Sequence, residues 1–171
     1  MQEIRIRHAE ARDLEQILLI YNQGIEDRIA TLELDQKDMV YMTSWFGEHQ
    51  GRYSVLVAEM ADVVVGWASL NRYSHRCAYD GVADLSIYVE RSFRGHGVGQ
   101  HLLEQLEKKA HSQSFHKIVL FTFAKNQLGQ ALYRKRGFRE IGIFEKQGIL
   151  DGQYVDVMAM EKVLPESLHT Q

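Results

Sequence analysis

The stretch Arg94-Gly95-His96-Gly97-Val98-Gly99 constrains this chain more than any other. It sets three glycines within five residues between an apolar run, LSIYV (85–89), and an amphipathic run, QHLLEQLEKKA (100–110). A strand should end there and a helix begin, and glycines at such a turn let successive backbone N–H groups converge on one point. The helix dipole adds roughly half a positive charge at that point, and Arg94 adds a full one at its rim. A diphosphate suits this cradle; tight packing of the helix on its strand is the other use of the same pattern. Neither G-x-G-x-x-G nor a glycine run followed by Lys-Ser or Lys-Thr is present, so the familiar dinucleotide and P-loop readings do not apply.

The remaining residues are expected to build one domain over 1–165 around this turn. A chain of 171 residues can bury one core but not two substantial ones, and its 45% hydrophobic and 25% charged residues are those of an ordinary globular protein. The formal net charge of −3 argues against a general nucleic-acid grip, leaving a local basic rim at Arg91 and Arg94. Cys77 is the single cysteine, which excludes an internal disulfide and suits a reducing cytoplasm. The polar opening MQEIRIRHAEARD has no apolar export core, and no run approaches the ~18 apolar residues of a membrane span. A cytoplasmic protein that engages no membrane is the expectation.

Hydrophobic periodicity orders the elements. Ile4 and Ile6 alternate with polar residues as a half-buried strand, and Asp13 is placed to cap a helix that Gly24 closes. A second helix is expected over 36–46, capped by Asp35 with Asp38 at its third position. Between them the loop 28–34 mixes polar and apolar groups as a pocket wall would. Strands follow at 53–59 and 63–70, joined as a hairpin, and after a polar connector at 83–89. Residues 116–123 read as a fully buried strand and 128–136 as a short helix ended by Gly137. Two strands, 138–144 and 153–162, meet at the turn pair Asp151-Gly152. Pro165 marks a tail expected to fray from 166. The fold class is therefore α/β (α+β), a mixed six- to seven-stranded sheet with about four helices.

Few residues offer chemistry. Cys77 has His75 nearby but no orienting acid or oxyanion turn, so it reads as a small side chain that can be buried, and not as a nucleophile. Trp45, Phe46 and Trp67 fall at core spacing. The eight histidines show no ligand-type spacing, so no metal is expected. Asn126 sits where a helix begins and can cap it or bind a cofactor amide, and Tyr133 lies on that helix. Asp84 shares a strand face with Ser86 and Tyr88, opposite Leu85 and Ile87; a carboxylate there is costly unless water or a donor satisfies it.

The motif Arg-x-x-Gly-x-Gly (Arg94, Gly97, Gly99) and the run N-x-x-G-x-x-L-Y-x-x-x-G-F (Asn126, Tyr133, Gly137, Phe138) resemble the GCN5-related N-acetyltransferase superfamily. Within it, IYNQGI, RIATLE, WF-x-x-H, VVVGWASL, RCAYDG-x-A and SIYV-x-x-x-x-RG-x-G-x-G resemble, in order, the blocks of the phosphinothricin and methionine sulfone or sulfoximine acetyltransferase group. The likeness spans about 4–164. It implies an enzyme that moves the acetyl group of acetyl-coenzyme A to the amine of a small amino acid or analogue by direct attack in a ternary complex. It also implies that Ile87, Tyr88, Val89, the turn Arg94, Gly95, His96, Gly97, Val98 and Gly99, and Asn126 hold acetyl-coenzyme A, its pantetheine arm lying where two parallel strands part. Tyr133 is implied as general acid toward the sulfur.

Asp84 stands where the group usually has glutamate, which implies a general base. One methylene shorter, it favours transfer through an ordered water; bracing the connector is its other reading. Leu32, Glu33, Arg72, Arg76 and Tyr79 are the substrate-side candidates; a guanidinium meets a carboxylate with two hydrogen bonds, and Arg76 is the expected anchor because it lies in the best-matched block, surface solubility being its other reading. Leu32 replaces the usual Phe, Gly129 replaces a small hydroxyl residue, and GILDGQYVD (148–156) lacks the usual Lys and Arg. A homodimer is implied as well. A peptide or lysine acetyltransferase, and a non-catalytic acyl-coenzyme A sensor, are the competing readings.

Overall fold

The computed structural model describes residues 2–29 and 31–166, so the tail expected to fray falls almost wholly on 167–171, outside the described residues. Seven strands form one sheet in the order β1-β2-β3-β4-β5-β7-β6. They are β1 (Arg5–His8), β2 (Val55–Met60), β3 (Val63–Arg72), β4 (Val82–Val89), β5 (Lys117–Phe123), β6 (Arg139–Leu150) and β7 (Gln153–Val163). Helices α1 (Leu14–Glu26) and α2 (Met39–Glu48) cover one face. On the other lies α3 (Val98–Ser112), while α4 (Gln127–Lys135) follows β5.

Among the described residues only β4 and β5 run parallel, and their pairing is confined to Val82↔Lys117, Ala83↔Ile118 and Asp84↔Val119. Beyond Asp84 the two strands part. β4 stays paired to β3 as far as Val89, and β5 to β7 as far as Phe123, so the gap opens between two intact half-sheets. Leu102, Leu103 and Leu106 of α3 are fully buried against the sheet, each adding about 1.5–3 kcal/mol of transfer free energy. Gly66 of β3 sets how closely that helix approaches: a Cβ there would lie 2.9 Å from Val98 Cγ1. The helix start, and with it the glycine turn, is thereby fixed at the mouth of the gap.

Several local expectations are corrected by packing. Asp38 is the cap of α2, its carboxylate accepting from Tyr41 N, and it is not the third helical residue. The helix cannot start earlier because Asn22 holds Lys37 by both its backbone N–H and its carbonyl. Gly24 does not close α1; it lies inside the helix, where a Cβ would come within 2.8 Å of the Tyr88 ring. Asp13 precedes α1 but spends its carboxylate on Arg7, at 2.8 and 2.9 Å, and on Glu10 N. Strand β5 is not fully buried, since Phe121 is 44% exposed. Cys77 is exposed on a 3-10 turn.

Candidate active site

The gap between β4 and β5 widens into a cleft of about 750 Å³ that runs from the glycine turn to Asp84 and Leu32. At one end the turn has the form the sequence requires. Gly95 and Gly97 sit at φ +81° and +86°, a left-handed conformation that side chains oppose, and Gly97 is the N-cap of α3. The first N–H groups of α3, which have no acceptor within their own helix, open onto this end. Gly99 lines this end as well and also serves packing, since a Cβ there would meet Leu132 Cδ2 at 3.3 Å. Backbone donors at a left-handed glycine, followed by an apolar corridor along Ile87, Val89, Leu120 and Phe123, suit a diphosphate with a long uncharged arm.

Arg94 lines the cleft, but its charge is shared. Its Nη1 binds Asp27 at 2.7 Å and its Nε binds the Val89 carbonyl at 3.2 Å, while Arg91 pairs with Asp27 and Glu26. The expected basic rim is thus largely neutralised by the end of α1. His96 and Val98 are not walls of the cleft. The His96 ring turns back to the Arg94 carbonyl at 3.0 Å, and Val98 is buried in the core beneath Gly66. Asn126 caps α4 by accepting from Gly129 N at 3.1 Å and donates to Thr122 Oγ1 at 3.1 Å. A Cβ at residue 129 would lie 2.5 Å from Asn126 Nδ2, so glycine permits this closed cap.

At the other end, Asp84 and Tyr133 line the same cleft although they belong to opposite faces of the sheet; the parted strands bring them together. Burial pushes the Asp84 carboxyl up to about 6, against the pull of Leu85 N–H and the Asn71 amide. Burial, then the charge of Asp84, raises the Tyr133 hydroxyl to about 12. Asn71 stands opposite Asp84 on β3 and is held on every side: its Oδ1 meets His49 Nε2 and Ser69 Oγ, both at 2.8 Å, and its Nδ2 donates to Ser86 Oγ at 3.0 Å. His49 is itself fixed by the Trp45 carbonyl at 2.8 Å. Asn71 belongs to no motif in the sequence; its signal is its register opposite Asp84, which exists only once the strands are paired.

Leu32 is the substrate-side candidate that reaches the cleft. Glu33 pairs with Lys37 at 2.8 Å instead. Arg72, Arg76 and Tyr79 are exposed and line no part of it, with Arg72 lying over the Tyr53 ring. Arg28 ties residues 33–34 to the end of α1: its guanidinium binds the Ile25, Glu33 and Leu34 carbonyls and reaches Asp151 at 3.1 Å. Leu32 is thereby laid against Gly148, where a Cβ would fall 2.7 Å from its Cδ2.

Comparison with known proteins agrees with this geometry. The model of the acetyltransferase (GNAT) family matches residues 14–138. The chain belongs to the GNAT family. It is an acetyl-CoA-dependent N-acetyltransferase. It is 31% identical over 159 residues to an L-methionine sulfoximine/L-methionine sulfone acetyltransferase of Pseudomonas aeruginosa, covering 91% of this chain and 92% of that one. An L-amino acid N-acetyltransferase of Escherichia coli, AaaT, is 31% identical over 164 residues, 95% and 99% of the two chains. Among solved structures, a GNAT phosphinothricin acetyltransferase from Sinorhizobium meliloti in complex with acetyl-CoA superposes with a TM-score of 0.91 at 28% identity, covering 98% of this chain and 92% of that one. The GNAT fold thus accounts for both the parted strands and the glycine turn. No helix among the described residues is long and apolar enough to cross a membrane.

Proposed function

We propose that this acetyltransferase acts on the α-amine of a small free amino acid or amino-acid analogue, by direct attack within a ternary complex. The observation that carries the reading is that Asp84, at the point where β4 and β5 part, and Tyr133 line one and the same cleft with the apolar corridor. A carboxyl with a pKa near 6 is mostly ionised at pH 7 and still able to accept a proton. Asp84 is the general base, reaching the amine through an ordered water because its side chain is short. The neutral amine nitrogen forms the new N–C bond to the thioester carbonyl carbon and the C–S bond breaks. The amine proton ends on Asp84, and the departing sulfur takes a proton from Tyr133.

The two groups are coupled. Burial is the larger cause of the raised Tyr133 hydroxyl and the charge of Asp84 the smaller, so protonating Asp84 relieves only part of that shift. Solvent then carries the proton from Asp84 back to the tyrosinate, which closes the cycle. Proximity supplies much of the remaining rate, since the thioester is already activated.

Relatives named for methionine sulfoximine, methionine sulfone and amino acids support the acceptor class. The Arg28 clip supports it too, because a loop held over the acceptor end suits a small molecule better than a peptide chain. We assign a homodimer in the cytoplasm; Ile141, Ile143 and Phe144 on the edge strand β6 are all exposed, which supports a covering partner. A thiol-release assay over free amino acids, their analogues and lysine-containing peptides, read against the hydrolysis blank, tests the acceptor class. Free amino acids should be turned over faster than peptides, and the reverse order would overturn it.

A further inference from the structure

Strand pairing lays a polar stripe across the sheet beside the general base. Asn71 and Ser69 of β3 stand opposite Asp84 and Ser86 of β4, and alternate residues of paired strands share one face. Asn71 is the hub of this stripe. Its amide nitrogen donates to Ser86 Oγ at 3.0 Å and to the Asp84 carboxyl, while its Oδ1 accepts from Ser69 Oγ and meets His49 Nε2, both at 2.8 Å. A side-chain amide has two hydrogens and two lone pairs, and all four are used here.

Which way the amide is turned decides which form of Asp84 it favours. An ionised carboxylate only accepts, so the NH2 group faces it and the oxygen faces Ser69 and His49. Turned over, the amide would show its oxygen to Asp84, and only a protonated carboxyl can donate to that. Ser69 and Ser86 do not distinguish the two arrangements, because a hydroxyl donates or accepts as required. His49 does. Its Nδ1 meets the Trp45 carbonyl at 2.8 Å, and its ring lies against the Trp45 indole with centres 4.4 Å apart, so the imidazole cannot turn away. The Trp45 carbonyl and Asn71 Oδ1 both only accept, and the ring donates to each.

We propose that His49 is a positioning residue for the acetyl transfer: by donating from Nε2 to Asn71 Oδ1 it keeps the Asn71 NH2 group turned to Asp84, and so keeps Asp84 in the form that accepts the amine proton. Removing that donor admits the turned-over amide, which favours the protonated carboxyl. Burial already pushes this carboxyl up to about 6, so any further rise leaves less base near neutral pH. The other titratable groups that bear on Asp84 are Tyr88 and Tyr133; burial raises both hydroxyls, so neither adds a charge. His49 and Asn71 line no part of the cleft, which leaves the hydrogen-bonded stripe as their route to the chemistry. The inference rests on Asp84 being the general base.

The test follows kcat against pH, with acetyl-CoA and acceptor saturating, in the wild type, His49→Phe and His49→Gln. Phenylalanine keeps a ring but donates nothing, whereas glutamine returns an N–H donor. In His49→Phe the acidic limb should move up by about 0.5–1 on the pH scale, the worth of one hydrogen bond. Turnover at pH 5 should then fall about three- to tenfold, and at pH 8.5 it should stay within about twofold of the wild type. His49→Gln should bring the limb back toward its wild-type place. In the wild type, 15N spectra of the ring, assigned by its loss in His49→Gln, should find hydrogen on Nε2. A limb that stays in place in His49→Phe, an equal loss at every pH, or a bare Nε2 would overturn the positioning role, and the spectrum decides it if His49→Phe does not fold. Failure of the base itself looks different: Asp84→Asn would keep its turnover, and the role of His49 would fall with it.

Discussion

Replacing Asp84 by asparagine should make the protein more stable and less active at the same time. The carboxyl is pushed up from 3.8 to about 6, chiefly by burial. A group whose folded pKa is raised binds more protons when folded, so stability is lost as pH rises from about 4 to about 6 and stays lost above. The shift corresponds to at most about 3 kcal/mol of destabilisation at pH 7.5, and to about half that at pH 5. Asparagine keeps the shape and can still accept from Leu85 N–H, now at 2.9 Å from Asp84 Oδ1, but cannot ionise. Denaturant titrations of both proteins at pH 7.5, 6 and 5 should show the variant ahead by a margin that shrinks as pH falls. In thermal melts the margin at pH 7.5 amounts to roughly 6–12 °C at most for a domain of this size. Turnover at pH 7 with saturating acceptor should fall about 100-fold or more, the usual worth of a general base, and recover in part at high pH as the free amine deprotonates. The wild-type limb near pH 6 should vanish. A stability margin independent of pH would falsify the buried-carboxylate argument, and near-normal turnover at pH 7, once product release is shown not to limit, would remove Asp84 from the chemistry.

Gly97→Val puts a branched residue at φ +86°, a strain of about 1–3 kcal/mol, so acetyl-CoA affinity measured by calorimetry should weaken about tenfold or more; unchanged affinity in a folded variant would contradict the cradle. Asn71→Ala removes a donor that holds the Asp84 carboxyl down, so the acidic limb of the pH–rate profile should move above 6, whereas a purely structural Asn71 would lower the rate without moving the limb. Arg76→Ala should reduce kcat/KM for a free amino acid more than for its amide if the exposed connector folds inward to anchor the carboxylate, and equal losses would end that role. Sedimentation at micromolar concentration should find a dimer; a single species near the chain mass of 19.8 kDa would refute the pairing assigned to the β6 edge.

Much of this fold was legible in the sequence because it is written in local chemistry. Gly97 must occupy left-handed backbone, Gly137 at φ +89° can only end a helix, and Asp151-Gly152 turns β6 into β7 at φ +50° and +77°. Each of these acts within a few residues, and periodicity within one run is enough to tell strand from helix around it. The element order, the glycine turn and the cap at Asn126 follow from such signals alone. The gap beyond Asp84 does not, since it depends on β5 leaving β4 to follow β7, a choice made by two strands far apart in the chain. The same holds for Asp27 claiming Arg94, for His49 fixing Asn71 and for Arg28 reaching Asp151. Arg94 reads as a free cation, and Asn71 as an ordinary strand residue, until the partners that hold them are in place. Sequence dictated where the backbone must bend, because steric rules act on neighbours. Only the packed structure decided which charges are neutralised, which carboxyl is desolvated and which way an amide is turned, because those outcomes belong to groups brought together from separate elements.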